Sequence, residues 1–161
     1  MNNLNTKWVL WYHDLDDNDW SINGYKKVCD FSNVEDFWIV FNNVSENMIQ
    51  NSMLFVMRAG INPLWEDNSN KNGGSWSFKI SKKDIYSIFK ELCVHLLGEN
   101  ITKSERYTMS INGISISPKK NFSIIKIWNN DSKNSSNSLL STKIPNLYIS
   151  DSIYKSHNSK N

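Results

Sequence analysis

The feature that most constrains the fold is an apolar stripe between Ser81 and Gly98. Its members recur every three or four residues, the period of one helix face: Ile85, Ile88, Phe89, Leu92, Leu96 and Leu97. Ser81 and Asp84 have the spacing of a capping box, and Gly98 is of a type that commonly ends helices. The stretch therefore predicts an amphipathic helix that packs on a core through this face.

A second helix is predicted from Ser32 to Asn43, because Ser32 and Glu35 also have capping-box spacing. Its apolar residues recur at helical spacing, and core packing is the usual role of such a stripe: Val34, Phe37, Trp38 and Phe41.

Strand-like stretches flank and separate these helices: 7–12, 25–31, 53–58, 76–80, 107–117, 123–128 and 147–149. Residues 47–51 are predicted to be loop, and residues 138–142 to hold a short helix. The order of strands, helix, strands, helix and strands predicts an α+β fold in which helices back an antiparallel sheet.

The length of 161 residues predicts a single domain, residues 1–161, with a proper hydrophobic core. Residues 129–143, rich in Asn and Ser, are predicted to form a mobile loop, and the tail 155–161 is expected to fray. The start of the chain has no basic and apolar run, and no segment reaches the length of a membrane span. We therefore expect neither a signal peptide nor a transmembrane helix.

Charge and cysteine usage narrow the class further. A net charge of +2 excludes a strongly basic nucleic-acid coat, so any contact with RNA should be small and local. Cys29 and Cys93 lack metal-ligand spacing and are predicted to be reduced thiols in a cytosolic core.

The loop between the third and fourth predicted strands carries the clearest candidate site. It reads Asn62-Pro63-Leu64-Trp65-Glu66-Asp67 and continues with Asn72-Gly73-Gly74-Ser75-Trp76. Loops held by a rigid sheet often carry binding groups. Trp65 offers a flat face, and the Glu66 carboxylate can accept two parallel hydrogen bonds from the N1–H and N2 amine of guanine. The alternatives are a structural Trp and a solvated carboxylate.

Two other aromatic residues are candidates for exposed residues that could bind a ligand. Trp20 ends the acidic stretch 14–19, which we interpret as a solvated loop because it lacks the Gly and closing Glu of a calcium loop. In the stretch 123–128, Lys126 and Trp128 project to one face of the strand.

These landmarks together resemble the eukaryotic translation initiation factor 4E family, whose members bind the 5′ cap of messenger RNA. The matching stretches follow family order and spacing: Lys7 to Tyr12, Trp20, Asn33 to Trp38, Gly60 to Asp67, Asn70 to Trp76, Leu96 to Glu99 and Ile125 to Trp128. A weaker match runs from Ile144 to His157. Seven matches in register are hard to obtain by chance.

The resemblance implies a curved antiparallel sheet with helices packed on its convex face and a cap slot on its concave face. It implies that Trp20 and Trp65 sandwich 7-methylguanine, that Glu66 accepts from N1 and N2, and that Trp128 touches the N7-methyl group. Methylation at N7 makes the base cationic. A desolvated cation–π contact of about 2 kcal/mol would then add to stacking of about 1–3 kcal/mol per base.

The phosphate site departs from the family pattern. The first of two basic family positions, normally Arg, falls on Lys119, and the second, normally Lys, falls on Ile124. Lys120 and Lys126 are near enough to substitute, and Ser75 stands where the family often has a basic residue. Lys119, Lys120 and Lys126 are therefore the phosphate-binding candidates of a rewired or weaker site, and simple solvation is the alternative for each.

The resemblance also implies a partner site on the convex face, for a helix of a scaffold factor 4G-like protein or a 4E-binding protein. Val34 and Trp38 share one helix face, and Glu91 falls on the acidic family position. Lys90 stands where the family has Leu, which favours a co-adapted partner. A core role is the alternative for Trp38.

The leading hypothesis is thus a monomeric initiation factor in the cytoplasm (the host cytoplasm if the protein is viral) that recruits capped messenger RNA through a scaffold partner. We expect no membrane association, metal or cofactor. A cap-binding repressor is the nearest alternative. A small-molecule carrier on a similar sheet would instead bind apolar ligands. An enzyme is disfavoured, because His13, His95 and His157 are scattered and no carboxylate cluster suits a metal.

Overall fold

A computed structural model describes residues 2–158, in which seven strands form one sheet. The strands are β1 Asn3–His13, β2 Tyr25–Asn33, β3 Met53–Arg58, β4 Gly74–Ser81, β5 Ile111–Pro118, β6 Phe122–Asn129 and β7 Ile153–Ser156. The α-helices are α1 Val34–Asn42, α2 Glu46–Asn51 and α3 Ile85–Leu97. Short 3-10 helices span Ile22–Gly24, Glu105–Ser110, Asn137–Leu139 and Ile149–Asp151. None of the helices in this part of the chain is long and apolar enough to cross a membrane.

The strand order is β2-β1-β3-β5-β6-β4-β7, and every neighbouring pair is antiparallel. In β1 the register against β2 shifts between Leu10 and Trp11, an irregularity of the kind that bends and twists a sheet. The curved antiparallel sheet of an α+β fold, with helices on its convex face, is therefore confirmed.

Alternating side chains of the strands build two apolar clusters, one on each face. The larger cluster joins the convex face to the helices and includes Trp8, Leu10, Leu54, Val56, Trp76, Phe78, Ile125, Ile127, Phe37, Phe41, Ile88 and Leu92. The smaller cluster, on the concave face, consists of Phe55, Met57 and Trp128, with Trp11 and Tyr25 packed against it. The concave face thus has an apolar floor formed by Phe55, Met57 and Trp128.

The predicted helix before Gly98 is confirmed as α3, but both of its ends differ from the prediction. The Ser81 hydroxyl donates to the Asp84 carboxylate at 2.9 Å, so this pair does not form a capping box, and the helix begins at Ile85. Gly98 keeps a φ of −80°, and Glu99 takes the left-handed φ of 60° instead. The Glu99 carboxylate is fixed by an ion pair described below, which accounts for a non-Gly residue in that conformation.

The cap of α1 also differs from the prediction. Ser32 still belongs to β2, and Asn33 is the N-cap, with its Oδ1 accepting from Asp36 N at 2.8 Å. Asn is as good an N-cap as Ser, so the sequence alone did not separate these neighbours. The Glu35 carboxylate accepts from Asn2 N at 3.3 Å instead of closing a capping box.

Residues 47–51, predicted to be loop, belong to α2. The Ser45 hydroxyl caps this helix by accepting from Met48 N at 3.1 Å, and Ile49 is fully buried. One buried residue in a polar stretch leaves no periodic signal, which explains the wrong prediction.

Two predicted strands also need correction. The first part of the stretch 107–117 is 3-10 helix, since β5 begins only at Ile111. The stretch 147–149 is not a strand: Leu147 packs in the core, and the last strand is β7 on the open edge of β4. The short helix predicted within 138–142 is present as a 3-10 helix, shifted to Asn137–Leu139.

The chain after β6 follows a hydrogen-bonded path along the sheet. Trp76 Nε1 donates to Ser135 O at 3.0 Å, and Ser132 N donates to Asn72 O at 3.0 Å. The mobility of residues 129–143 stays a prediction.

The tail was predicted to fray from Lys155, but its first residues pair with the sheet. Lys155 and Ser156 lie in β7, and His157 N donates to Gly73 O at 2.9 Å. Residues 159–161 lie outside the described part of the chain. Pairing with the β4 edge, which the sequence pattern did not reveal, is the reason for the difference.

Both cysteines are free thiols, with Cys93 buried in the core and Cys29 partly buried. Burial raises the pKa of Cys93, and burial followed by the Asp30 carboxylate raises the pKa of Cys29. Both side chains are therefore protonated and weakly nucleophilic at neutral pH.

One buried ion pair ties the end of α3 to the sheet. Arg58 Nη1 and Nη2 donate to the Glu99 carboxylate at 2.6 and 3.1 Å, and Nη2 also donates to Ile111 O at 2.7 Å. The side chains of Arg58 and Glu99 are only 9% and 8% exposed. The guanidinium lies over the Trp8 ring, 4.3 Å from its centroid.

We predict that Glu99→Gln lowers the free energy of unfolding by about 3 kcal/mol, because it leaves the buried Arg58 charge without its counter-ion. Urea unfolding of the variant measures this loss, with Glu105→Gln on the exposed 3-10 helix as the control. A loss below about 1 kcal/mol, typical of surface pairs, would contradict the buried role.

Candidate functional site

Two adjoining cavities open on the concave face. The first has a volume of about 350 Å³, and its lining includes six of the predicted ligand-binding residues: Trp20, Trp65, Glu66, Lys119, Lys126 and Trp128. Tyr25, Phe55 and Ile124 complete much of its wall. The fold therefore brings the six predicted residues together from three loops or turns and from β6. Lys120 is exposed and lies outside this lining.

The Trp20 indole is held in place by His13, the last residue of β1. The two rings stack with centroids 4.1 Å apart and planes 2° apart. Trp20 is still 51% exposed, so His13 supports the indole from within while its free surface borders the cavity.

His13 is itself fixed from both sides. It is fully buried, with Nδ1 2.7 Å from Asp14 O and Nε2 2.9 Å from Asp19 O. A carbonyl oxygen only accepts, so each neutral tautomer satisfies one contact and the doubly protonated ring satisfies both. These contacts fix the plane on which Trp20 stacks.

The acidic residues between β1 and Trp20 shape the loop. Asp14 accepts from Asp16 N at 3.0 Å, and Asp17 accepts from Asp19 N at 2.8 Å. Asp19 accepts from the hydroxyl and backbone N–H of Ser21, and these bonds lower the pKa of Asp19. The side chains make local turns, as expected for Asp in loops.

The loop that carries Trp65 is built on Asp67. Its carboxylate accepts from Asn62 N at 3.1 Å and from Ser69 N at 2.8 Å, bridging the two arms of the loop. Asp67 N donates in turn to Leu64 O at 3.2 Å. Trp65 and Glu66 lie between these anchored positions.

A buried amide completes the support beneath this loop. Asn70 is fully buried, and its Nδ2 donates to Asn62 O at 3.0 Å and Leu64 O at 2.8 Å. Its Oδ1 accepts from Asn112 Nδ2 of β5 at 2.9 Å. The hydrogen bonds thus tie the backbone on both sides of Pro63 to the sheet, which limits the motion of Trp65.

Trp65 is 51% exposed, and Glu66 is exposed beside it, so both face the cavity rather than the core. The negative charge of Glu66 also acts on the neighbouring Tyr25. Burial, with a further contribution from Glu66, raises the pKa of Tyr25 to about 12. Tyr25 is therefore a neutral wall of the cavity at physiological pH.

Trp128 forms part of the cavity floor. Its Nε1 donates to Ser115 Oγ at 3.0 Å, and its ring meets Phe55 edge-on at 6.4 Å between centroids. His157 approaches the same indole edge-on at 5.2 Å. Trp128 is only 7% exposed, so little of its surface reaches the cavity.

Two basic side chains, Lys119 and Lys126, border the first cavity. Lys126 is on β6, two residues before Trp128, and Lys119 follows β5. Desolvation within the slot lowers the pKa of Lys126, and the charges of Lys119 and Lys155 lower it further. The ammonium groups of Lys119 and Lys155 therefore each repel that of Lys126, an arrangement that an anion would stabilise.

Several site residues were not found from the sequence. Lys155 and His157 lie in the tail that was predicted to fray, and His13 gave no signal that it stacks on Trp20. Asn is abundant in this chain, so nothing in the sequence distinguished Asn70 and Asn112, which form hydrogen bonds while buried.

The predicted partner residues lie on the opposite side of the sheet from the cavities. Val34 is 36% exposed, and Trp38 is half-buried against Phe37, at 5.0 Å between ring centroids. Lys90 of α3 extends its Nζ to 5.9 Å from the Trp38 ring, and Glu91 follows it. The structure therefore brings α1 and α3 together at this surface.

The chain is similar in sequence to translation factors of several eukaryotes. The eukaryotic translation initiation factor 4E of Candida albicans is 31% identical over 146 residues, covering 80% of this chain and 64% of that protein. The corresponding factor of Saccharomyces cerevisiae is 32% identical over 131 residues, covering 78% of this chain and 60% of that protein. The chain thus spans less than two thirds of the length of either relative.

Solved structures of the same fold share the sheet and helices. The complex of C. elegans eIF4E-3 with the 4E-binding protein Mextli and cap analog has a TM-score of 0.73 and 27% identity, covering 82% of this chain and 76% of that chain. Schistosome eIF4E complexed with m7GpppG and 4E-BP has a TM-score of 0.74 and 26% identity, covering 83% and 74%.

The sequence model of the family described as "Eukaryotic initiation factor 4E" matches residues 3–161, almost the whole chain. This match agrees with the antiparallel sheet, the convex helices and the aromatic cavity on the concave face. The chain belongs to the eukaryotic initiation factor 4E family.

Proposed function

We propose that this protein binds the 7-methylguanosine cap at the 5′ end of messenger RNA and acts in the cytoplasm as a monomeric translation initiation factor. The observation that carries the proposal is the convergence of Trp20, Trp65 and Glu66 on one open cavity. The similar protein from Ascaris suum was crystallised with the m7G cap, which supports the same ligand here.

The base would be recognised by its faces and by one edge. Trp20 and Trp65 supply the stacking surfaces, and the N7-methyl group gives the base a positive charge that the indoles attract. Glu66 accepts from N1–H and the N2 amine, and its negative charge favours the cationic base. Trp128 meets the methyl group at the floor of the cavity. The indoles stack on the base, Glu66 accepts hydrogen bonds from it, and both attract its positive charge. None of these roles is catalytic, so we propose binding without catalysis.

The phosphate chain would begin beside the base, where Lys119 and Lys126 border the same cavity. Ile124 also borders it and can make no ionic contact. Lysine holds phosphate as a point charge, without the bidentate fork of Arg. Lys120, which lies outside the lining, is the weakest of the three predicted phosphate ligands.

A second surface would connect the bound messenger RNA to a scaffold factor 4G-like protein or a 4E-binding protein. Val34, Trp38 and Glu91 lie on the convex face, away from the cavities. A half-exposed Trp is a common centre of binding energy for an amphipathic helix. Because Lys90 covers part of Trp38, the partner helix should offer a polar or acidic group at that point. Similar proteins crystallised with Mextli and with 4E-BP support this type of partner.

We predict that 7-methyl-GTP binds about thirtyfold more tightly than GTP, the equivalent of a desolvated cation–π contact of ~2 kcal/mol. Quenching of Trp fluorescence during titration measures both affinities. Equal affinity for the two nucleotides would contradict the charge-based recognition of the base.

We predict that Trp38→Ala removes binding to a recombinant 4G-like fragment or 4E-binding protein, while the affinity for 7-methyl-GTP changes by less than about twofold, because the sites lie on opposite faces. Ile39→Ala is the matched control, since Ile39 is the next residue on the same helix and is 64% exposed.

Thermal unfolding of the Trp38→Ala protein separates this role from a core role. The partner hypothesis predicts a small loss of stability with an intact cap site. A collapsed melting transition accompanied by loss of 7-methyl-GTP binding would show that Trp38 is a core residue.

A further inference from the structure

A second cavity adjoins the base-binding cavity and extends toward β7. Its volume is about 370 Å³, and it shares Trp65, Lys126 and Trp128 with the first cavity. Its remaining lining comes from β4 and from the end of the chain, and includes Ser75, Ser77, Lys155 and His157. The two cavities therefore form a continuous trough, and the part that the second cavity forms crosses β6, β4 and β7.

Strand register explains why these side chains share one face. Trp128 on β6 pairs with Ser75 on β4, which pairs with Lys155 on β7. Lys126 pairs with Ser77 in the same way. Directly opposed residues of antiparallel strands point to the same side of the sheet, so all five side chains lie on the concave face.

The intervening residues confirm this assignment. Trp76 and Phe78 alternate with the two serines and are buried in the convex core. Tyr154, which precedes Lys155, packs against Trp76 with 5.1 Å between ring centroids. Lys155 must therefore point to the opposite face, into the trough.

The chemistry of the second cavity suits an anion. Two ammonium groups border it, hydroxyl side chains lie between them, and no carboxylate is part of its lining. Within residues 2–158 neither Lys126 nor Lys155 forms an ion pair, since the salt bridges there are Lys7–Asp30 and Arg58–Glu99. Burial, followed by the charges of Lys119 and Lys155, lowers the pKa of Lys126, and a bound anion would offset the repulsion among these charges.

The dimensions suit a chain of phosphates. Neighbouring strands lie about 4.8 Å apart, so β6 and β7 are separated by roughly 10 Å across β4. Serine side chains on β4 leave this space open, and two extended lysines can reach into it from either side. In the first cavity, Lys119 supplies an ammonium group and Ile124 offers no charge, so a phosphate chain would gain a further cation by extending toward Lys155.

We propose that Lys155, together with Lys126, holds the phosphate chain of the ligand in this second cavity, so that the chain leaves the base across β4 toward β7. The inference rests on the proposed function for the identity of the base. It assigns to Lys155 a role as a phosphate ligand. The competing role for a Lys on an edge strand is to discourage pairing with other sheets.

The test uses the full chain and three probes: 7-methyl-GTP, the nucleoside 7-methylguanosine and inorganic tripolyphosphate. Lys155→Gln should weaken 7-methyl-GTP binding by about fivefold to tenfold and reduce its salt dependence, while 7-methylguanosine affinity changes by less than about twofold. Lys155→Arg should retain most of the 7-methyl-GTP affinity. The control is Lys103→Gln, which removes the same charge from an exposed position outside both cavities.

The outcomes separate this inference from the proposed function. Tight 7-methyl-GTP binding that Lys155→Gln leaves unchanged, or an equal loss for nucleotide and nucleoside, would overturn the role of Lys155 and leave cap binding intact. If the wild-type chain bound neither 7-methyl compound but bound tripolyphosphate in a Lys155-dependent manner, cap binding would fail and the anion site would stand. Tripolyphosphate binding that ignores Lys155 would overturn the anion site.

Discussion

The two-residue alternation of β-strands is the constraint on which this structure depends. Each strand contributes one set of side chains to the helix-covered core and the other set to the open concave face. In β6, Ile125 and Ile127 are buried against the helices, while Lys126 and Trp128 border the cavities. A single-residue slip in register would bury the lysine and expose the isoleucines, so the site and the core are specified together.

The sheet supplies the floor, and polar side chains position the loops above it. His13 supports Trp20 from below, and Asn70 fastens the loop that carries Trp65 to β5 through Asn112. His13 and Asn70 are both fully buried, so the supports of the two indoles are in place before any ligand arrives. Such preorganisation reduces the conformational entropy that a ligand would otherwise have to remove. The binding account therefore depends as much on these buried polar residues as on the rings.

The sequence predicted the parts of the molecule that have a period or a rare residue type. The apolar stripe predicted α3, and the alternation of apolar and polar residues predicted β6. The exposed Trp residues were identified because large aromatic rings are uncommon in polar loops. The sequence did not predict three other features: the capping of α1 by Asn33, the short helix around Ile49 and the pairing of β7 with β4. Each of them depends on tertiary contacts. The position of Lys155 in the trough was not predicted for the same reason, since it follows from the pairing of β7 with the edge of β4. Residues that act through buried hydrogen bonds, such as Asn70, carry no local pattern at all.

The central claim is that a cationic purine fills the space between Trp20 and Trp65 with its hydrogen-bonding edge on Glu66. A crystal structure of the full chain with 7-methyl-GTP tests it most directly. The account predicts the base stacked between the two indoles, the Glu66 carboxylate within hydrogen-bonding distance of N1 and N2, and phosphates extending over β4 toward Lys155. A base bound outside this space, or one that stacks on a single indole and makes no contact with Glu66, would contradict it.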